Sequence, residues 1–91
     1  MADTFEVRII SPEQLFYEGT GTFVEFTTVE GRMGIYPNHI PLTTVLAPCV
    51  LKVHEGEDVK KIEISGGFAE ILKDRITVLA ESAEWKQLEF M

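Results

Sequence analysis

Residues 50–64 read Val-Leu-Lys-Val-His-Glu-Gly-Glu-Asp-Val-Lys-Lys-Ile-Glu-Ile, two apolar runs separated by a polar turn. The run at 59–64 alternates apolar and polar residues toward its end, and Val, Ile and Leu dominate both runs. Because side chains alternate between the two faces of a strand, each run predicts a strand with one buried face. The four residues Glu55-Gly56-Glu57-Asp58 have the length of a hairpin loop. This segment therefore predicts a β-hairpin.

The same kind of pattern continues on both sides of this hairpin. Short apolar runs separated by Gly, Pro, Ser or Asp residues occur at 5–9, 15–18, 22–28, 33–36, 42–46, 68–72 and 75–80. Pro37, Pro41 and Pro48 argue against a long helix in the middle of the chain. Eight or nine short strands with frequent turns predict an all-β, antiparallel sandwich or flattened barrel.

The pattern changes after Glu81. Residues 82–88 consist mainly of helix formers, Trp85 and Leu88 lie three positions apart, and Ser82 is placed to cap a helix start. We therefore expect a β-sandwich domain at residues 1–81. A short tail with a helical start is expected at residues 82–91.

Length and charge exclude several classes of protein. The chain has 91 residues, 8 basic and 15 acidic side chains and a net charge of −7, which argues for one domain and against a nucleic-acid binder, since the latter needs a basic surface. One cysteine excludes an internal disulfide. No apolar run approaches the ~20 residues of a membrane span, and the N-terminus has no signal-peptide pattern. We expect a soluble domain of a reducing compartment.

The residues that commonly carry chemistry are scattered. His39, His54 and Cys49 have no spacing typical of a metal site, so no metal, cofactor or catalytic residue is predicted. His54 is interpreted as a solvated strand residue and His39 as a loop residue with a structural hydrogen bond. Gly66 and Gly67 precede a strand rather than a helix, which favours a bulge or a close backbone approach over a phosphate loop.

Several predicted strands carry apolar residues on both faces. Phe23 is opposite in parity to Val24, and Phe68 and Leu72 are opposite to Ala69 and Ile71. Two interpretations are open: some of these side chains meet a partner protein, or local bulges change the strand parity.

A long motif gives the chain a family resemblance. Residues 33–42 read Met-Gly-Ile-Tyr-Pro-Asn-His-Ile-Pro-Leu, preceded by Thr-Val-Glu-Gly at 28–31. Ser-Gly-Gly-Phe-Ala-Glu follows at 65–70, Val-Leu-Ala-Glu at 78–81, and Val-Arg-Ile-Ile-Ser-Pro-Glu stands at 7–13. With these motifs in order from about residue 5 to about residue 85, the chain resembles the epsilon subunit of bacterial-type F-type ATP synthases.

This resemblance implies a ten-stranded β-sandwich and a non-catalytic role in the central stalk, or rotor, of a proton-translocating rotary ATP synthase. The domain would couple the gamma subunit to the ring of c subunits during ATP synthesis, with no cofactor. It would be peripheral, at the cytoplasmic face of a bacterial plasma membrane through the F1Fo complex, without lipid contact of its own. The family usually adds a C-terminal helical hairpin, which this sequence is expected to lack.

The resemblance also implies interface residues. The loop toward the c ring corresponds to Glu30, Gly31, Arg32 and Met33, with the turn around His39 nearby. The c-subunit loop normally presents an arginine, which suits Glu30, whereas the family usually has a carboxylate where this chain has Arg32. A like charge there would weaken docking.

On the gamma side, Ser11 and Thr43 match the family's contact positions, and the surplus apolar residues are candidates to join them. The alternative function is a free-standing β-sandwich that binds a small ligand, which would need a concave pocket with convergent polar groups. A small hydrolase is a more distant alternative, since no catalytic arrangement stands out in the sequence.

Overall fold

The computed structural model describes residues 3–86, and this part of the chain is built from strands and turns. The strands are β1 Phe5–Ser11, β2 Gln14–Gly21, β3 Phe23–Thr28, β4 Gly31–Ile35, β5 Leu42–Leu46, β6 Cys49–Glu55, β7 Asp58–Ile64, β8 Gly67–Ile71, β9 Arg75–Ala80 and β10 Ala83–Trp85. The all-β prediction is confirmed. Within residues 3–86, no helix is long and apolar enough to span a bilayer.

The ten strands form one sheet that folds over itself. Hydrogen-bonded neighbours follow the order β10-β7-β6-β3-β5-β8-β9-β1-β2, and β4 pairs with β3 outside this path. Only one residue pair, Thr28 with Leu46, joins β3 to β5. This narrow connection divides the sheet into two layers, one of β4, β3, β6, β7 and β10 and the other of β5, β8, β9, β1 and β2.

Strand pairing is antiparallel except between β1 and β9. These two strands run in parallel, with Val7 opposite Ile76 and Ile9 opposite Val78. The first strand is thus inserted between β9 and β2, where its backbone groups have partners on both sides.

The core lies between the two layers and is made of alternate residues on the strands. In β1, β3 and β9 every second residue is buried, as expected when one face of each strand meets the interior. The largest fully buried side chains are Phe26, Ile9, Ile35, Leu51, Ile62, Ile71 and Ile76. Both layers contribute to this single cluster, so the two halves of the sheet depend on each other for stability.

The two edge strands of the sheet, β10 and β2, approach each other through aromatic side chains. Trp85 of β10 contacts Phe16 and Tyr17 of β2, with ring centroids 5.2 and 5.9 Å apart. The Tyr17 hydroxyl also donates to the Glu55 carboxylate at the end of β6. We call this contact between β10 and β2 the seam. Side chains hold it together, which makes the sandwich a nearly closed barrel.

Most strand predictions agree with the structure, and β5 and β9 have the predicted bounds. In the central hairpin only Gly56 and Glu57 lie between the strands, because Glu55 opposite Asp58 extends the ladder. The positive φ of Gly56, 67°, suits a tight hairpin turn.

The predicted helical start is wrong over Ala83–Trp85. These residues form β10, which pairs with Ile62–Ile64 of β7 and so covers the free edge of that strand. The sheet thus continues four residues past the boundary at residue 81. The rest of the predicted helix, residues 87–88, lies outside the described residues.

Candidate docking surfaces

The turn between β3 and β4 presents Glu30 to solvent. Val29 and Glu30 are both exposed, and the hydroxyl of the buried Thr28 fixes the turn from below. Its Oγ1 accepts a hydrogen bond from Glu30 N and donates one to Gly31 O, each at 3.0 Å. The turn is therefore ordered and shows one carboxylate at its tip. Sequence reasoning missed Thr28, although a threonine two residues before a turn residue is a common turn signal.

Gly31, Arg32 and Met33 form the start of β4 and differ in exposure. Met33 is half-buried and packs against the core. The Arg32 side chain is 72% exposed and points outward, where its Nη2 donates to Glu25 Oε1 at 3.4 Å. Arg32 is thus paired inside the chain, so its positive charge beside Glu30 is partly compensated.

His39 lies in the loop between β4 and β5, at the end of β4 away from Glu30. The neighbouring Asn38 donates its backbone N–H to Lys73 O, which ties this loop to the turn between β8 and β9. The five residues of β4 separate the two regions by about 16 Å. The structure therefore does not bring His39 next to Glu30. Its Nδ1 lies 2.6 Å from Ile40 O, so the predicted structural hydrogen bond is confirmed.

One row of apolar side chains crosses the outer surface of the second layer. Val45 pairs with Phe68, Phe68 with Leu79, Leu79 with Ile10, and Ile10 with Leu15. We call these five residues the apolar row, and the outer surface that carries it the apolar face. Phe68 and Leu79, at its centre, are 54% and 52% exposed. The row spans about 20 Å across five strands.

Parity alone does not tell whether Phe68 or Ala69 points outward, and the structure places Phe68 on the outer surface. The other members were missed, because only the register between strands reveals that they stand in line. Phe23, another of the surplus residues, stacks instead on Tyr36 with ring centroids 4.3 Å apart. The outward-facing ring of Phe23 is therefore packed against another residue of the same chain.

Ser11 and Thr43 both lie near the apolar row, but Ser11 is buried and Thr43 is exposed. Ser11 is buried, and its Oγ donates to Gln14 O at 3.3 Å in the β1–β2 turn. It borders a shallow, mostly apolar depression with Pro12, Gly67 and Phe68. Thr43 is exposed on β5, two residues before Val45 and on the same outward side.

The outer surface of the first layer, which we call the charged face, carries an ionic cluster. Glu25 Oε2 accepts a hydrogen bond from His54 Nε2 at 2.6 Å. This bond, followed by the charges of His54, Lys52 and Arg32, outweighs partial burial and holds the pKa of the Glu25 carboxyl below its ordinary value. The interpretation of His54 as a solvated residue is wrong, since its side chain is 27% exposed and hydrogen-bonded to Glu25.

The remaining candidate residues have structural surroundings. Cys49 is half-buried, and its Sγ lies 3.4 Å from Thr27 N, where the β3–β6 ladder opens. Gly67 has a φ of 143°, and an added Cβ would stand 2.1 Å from Leu79 O, so the backbone approach is close, but it is made to the paired strand β9 and not between the two layers. Among residues 3–86, no group of three or more His, Cys, Asp or Glu side chains is arranged to hold a metal ion.

Comparison with known proteins relates this fold to one family. The sequence model of the family described as "ATP synthase, Delta/Epsilon chain, beta-sandwich domain" matches residues 4–86. The ATP synthase epsilon chain of Halalkalibacterium halodurans is 41% identical over 81 residues, which cover 89% of this chain and 61% of that one. The epsilon chain of Caldanaerobacter subterraneus is 39% identical over 88 residues, covering 96% and 64%. The chain thus spans about three-fifths of the length of these relatives.

Solved structures agree on the fold. A chain in the cryo-EM structure of the Euglena gracilis mitochondrial ATP synthase, OSCP/F1/c-ring, superposes with a TM-score of 0.85 at 23% identity, covering 93% of this chain and 54% of that chain. A chain in the central stalk/c-ring structure of the Tetrahymena thermophila mitochondrial ATP synthase gives 0.75 at 18% identity, covering 88% and 65%. From the matched sequence model and the curated relatives, this chain belongs to the family of ATP synthase delta/epsilon chain β-sandwich domains.

Proposed function

We propose that this chain is a non-catalytic central-stalk subunit of a proton-translocating rotary ATP synthase, in which it couples the gamma subunit to the c ring. Curated relatives at about 40% identity are named ATP synthase epsilon chains, which supports this function. The structural neighbours belong to ATP synthase assemblies described as OSCP/F1/c-ring and central stalk/c-ring, which supports the partners. As part of the F1 sector the domain would be peripheral to a membrane, at its cytoplasmic face in a bacterium.

The apolar row is the observation that carries this proposal. A small domain with an extended line of exposed aromatic and aliphatic side chains is suited to bind another protein, because covering them removes apolar surface from water. We assign this row to the gamma subunit. Thr43 extends the surface along β5, and Ser11 contributes at its border through the fixed β1–β2 turn.

The c ring would meet the β3–β4 turn. Glu30 at its tip offers an exposed carboxylate to the basic loop that the family resemblance implies, while Gly31, Arg32 and Met33 continue the contact along β4. The hydrogen bonds from Thr28 hold this turn in one conformation before binding, which reduces the entropy lost on docking. We leave His39 out of this contact, because it lies at the opposite end of β4.

Co-elution with the cognate gamma subunit tests the proposal. We expect a one-to-one complex at micromolar concentration, and we expect the double variant Phe68→Ser/Leu79→Ser to bind about 100-fold more weakly, since two central interface side chains are lost. Both residues are already exposed, so the free energy of unfolding should change by less than about 1 kcal/mol. Val59→Ser, an exposed apolar residue on the charged face, is the matched control.

Two outcomes would contradict this assignment. Separate elution of the unmodified chain and gamma would overturn the function itself. Equal binding by the double variant and Val59→Ser would overturn the assignment of the apolar row to gamma.

A further inference from the structure

Glu25 connects three strands of the charged face. Its Oε1 accepts from Arg32 Nη2 of β4, and its Oε2 accepts from His54 Nε2 of β6. Glu25 and His54 are both about one-quarter exposed, whereas Arg32 extends into solvent. One carboxylate thus serves two basic side chains, and one of these lies two residues from Glu30.

Aromatic packing holds this cluster in place. The Phe23 ring contacts the His54 ring at a centroid distance of 5.1 Å and stacks on Tyr36 on its other side. Phe23 also covers Gly34, where an added Cβ would stand 2.5 Å from the ring. The His54 ring is therefore confined between Phe23 and Glu25, so its protonation acts on a fixed geometry.

The groups around His54 are mostly basic. Lys52 of β6 lies opposite Glu25, and Lys61 of β7 lies opposite Lys52, while the apolar Val59 lies opposite His54 itself. Within the described residues, Glu25 is the carboxylate that pairs with His54. The hydrogen bond from His54, followed by the charges of His54, Lys52 and Arg32, keeps the pKa of the Glu25 carboxyl low, which favours its ionised form.

The net charge of the cluster consequently depends on pH. With His54 neutral, the negative charge of Glu25 and the positive charge of Arg32 cancel. With His54 protonated, the three side chains carry one net positive charge. Histidine is the side chain whose charge ordinarily changes between pH 5 and pH 8. His54 pairs with Phe23 near the end of β3 away from the β3–β4 turn, and Glu25 links it to Arg32, two residues from Glu30.

We propose that Glu25 and His54 are positioning residues that make docking of the β3–β4 turn to a basic partner loop dependent on pH. When His54 is neutral, Glu25 compensates Arg32 and the carboxylate of Glu30 dominates the turn. When His54 is protonated, Glu25 is shared between two positive charges and compensates Arg32 less, so the positive charge of Arg32 next to the turn opposes the basic loop. This inference rests on the proposed contact between the turn and the c ring.

Binding of the 91-residue chain, in complex with gamma, to immobilised detergent-solubilised c ring tests the proposal. We expect binding to weaken by about threefold to tenfold between pH 8 and pH 5.5 at constant ionic strength, the effect of one partly screened unit charge. His54→Gln should remove most of this dependence. His39→Gln, which changes the other of the two histidines in the chain, should retain the dependence of binding on pH whatever its affinity.

Further variants separate the proposal from a simple structural role. Glu25→Gln leaves Arg32 uncompensated, so it should bind weakly even at pH 8, and Arg32→Gln in the same background should restore binding. Glu30→Lys serves as the reference for loss of the turn itself. A role limited to folding would give neither the rescue nor the altered pH profile.

The outcomes distinguish the two levels of inference. Binding that is equally dependent on pH in the unmodified chain and in His54→Gln, or no rescue by Arg32→Gln, would overturn the role of the cluster alone. Failure of the unmodified complex to bind the ring at every pH, or full binding by Glu30→Lys, would overturn the proposed ring contact and this inference with it.

Discussion

The apolar face and the charged face cover the same core from opposite sides, and their outward residues differ in kind. The apolar row stands in line across five strands with nothing in the described chain to cover its centre. On the charged face, Phe23, Tyr36, Glu25 and His54 contact one another and leave less apolar surface unpaired. The inward residues are similar in both layers. The requirements of folding therefore explain the inward residues of both layers. Only the outward residues distinguish the apolar face, which is suited to bind a partner, from the charged face, whose side chains pair with one another.

The largest expected change in stability comes from Gly67→Ala, which tests whether the second layer depends on the close backbone approach between β8 and β9. Gly67→Ala should lower the free energy of unfolding by about 2–4 kcal/mol, because its positive φ disfavours a side chain and the new Cβ would overlap Leu79 O. Urea unfolding monitored by tryptophan fluorescence measures this change.

Gly31→Ala is the matched control on the other layer. Its φ is 131°, similar to that of Gly67, but an added Cβ there meets nothing within 4 Å. Only the conformational strain remains, so a loss of about 1 kcal/mol is expected. Equal losses at the two positions would mean that backbone strain alone, and not contact with β9, explains Gly67.

The next effect concerns the seam where the two layers meet. Trp85→Ala should destabilise the fold by about 1–2 kcal/mol, because it removes the ring contacts with Phe16 and Tyr17. Trp85→Phe should restore about half of this loss. Thermal unfolding followed by circular dichroism measures both, and an unchanged midpoint in Trp85→Ala would mean that the seam does not hold the layers together.

The smallest effect should appear on the charged face and depend on pH. Because the pKa of Glu25 lies below its ordinary value of 4.5 in the folded state, its stabilisation is present above that value and is lost as the pH falls through the folded-state pKa. Glu25→Gln should therefore lower stability by about 0.5–1 kcal/mol at pH 7. The difference from the unmodified chain should shrink on acidification to about pH 3.

Glu70→Gln provides the comparison for this change on the apolar face. Glu70 is exposed on β8 and forms no ion pair within the described residues, so its loss should alter stability by less than about 0.5 kcal/mol. Acid titration of the unfolding midpoint checks both variants. A gap between Glu25→Gln and the unmodified chain that grows toward acid pH would contradict the stated role of Glu25.

Sequence patterns predicted the inner side of the molecule well, since burial imposes alternation on each strand. β5 and β9 are examples in which this alternation and the flanking turn residues fixed both ends. The helical prediction at 82–88 failed over β10 because local propensity favoured a helix, whereas β7 had a free edge that three residues could cover. A contact between distant strands overrode the local preference.

The candidate surfaces were less predictable, because each depends on register. Phe68 was one of several surplus apolar residues noted in the sequence, and nothing in the spacing of Val45, Leu79 and Ile10 shows that pairing places them beside it. Glu25 and His54 are 29 positions apart, so no local motif joins them. The family motif placed Glu30 and His39 close together, but the five residues of β4 carry the chain away from the turn before His39 is reached.

The parallel pairing of β1 with β9 has a mechanical consequence. If the protein were pulled at Phe5 and at Ala80, the tension would act on opposite ends of the neighbouring parallel strands β1 and β9. The hydrogen bonds between them would then be loaded together in shear instead of opening one after another like a zipper. The pairing of β1 with β9 should therefore give the domain a higher unfolding force than its modest size suggests.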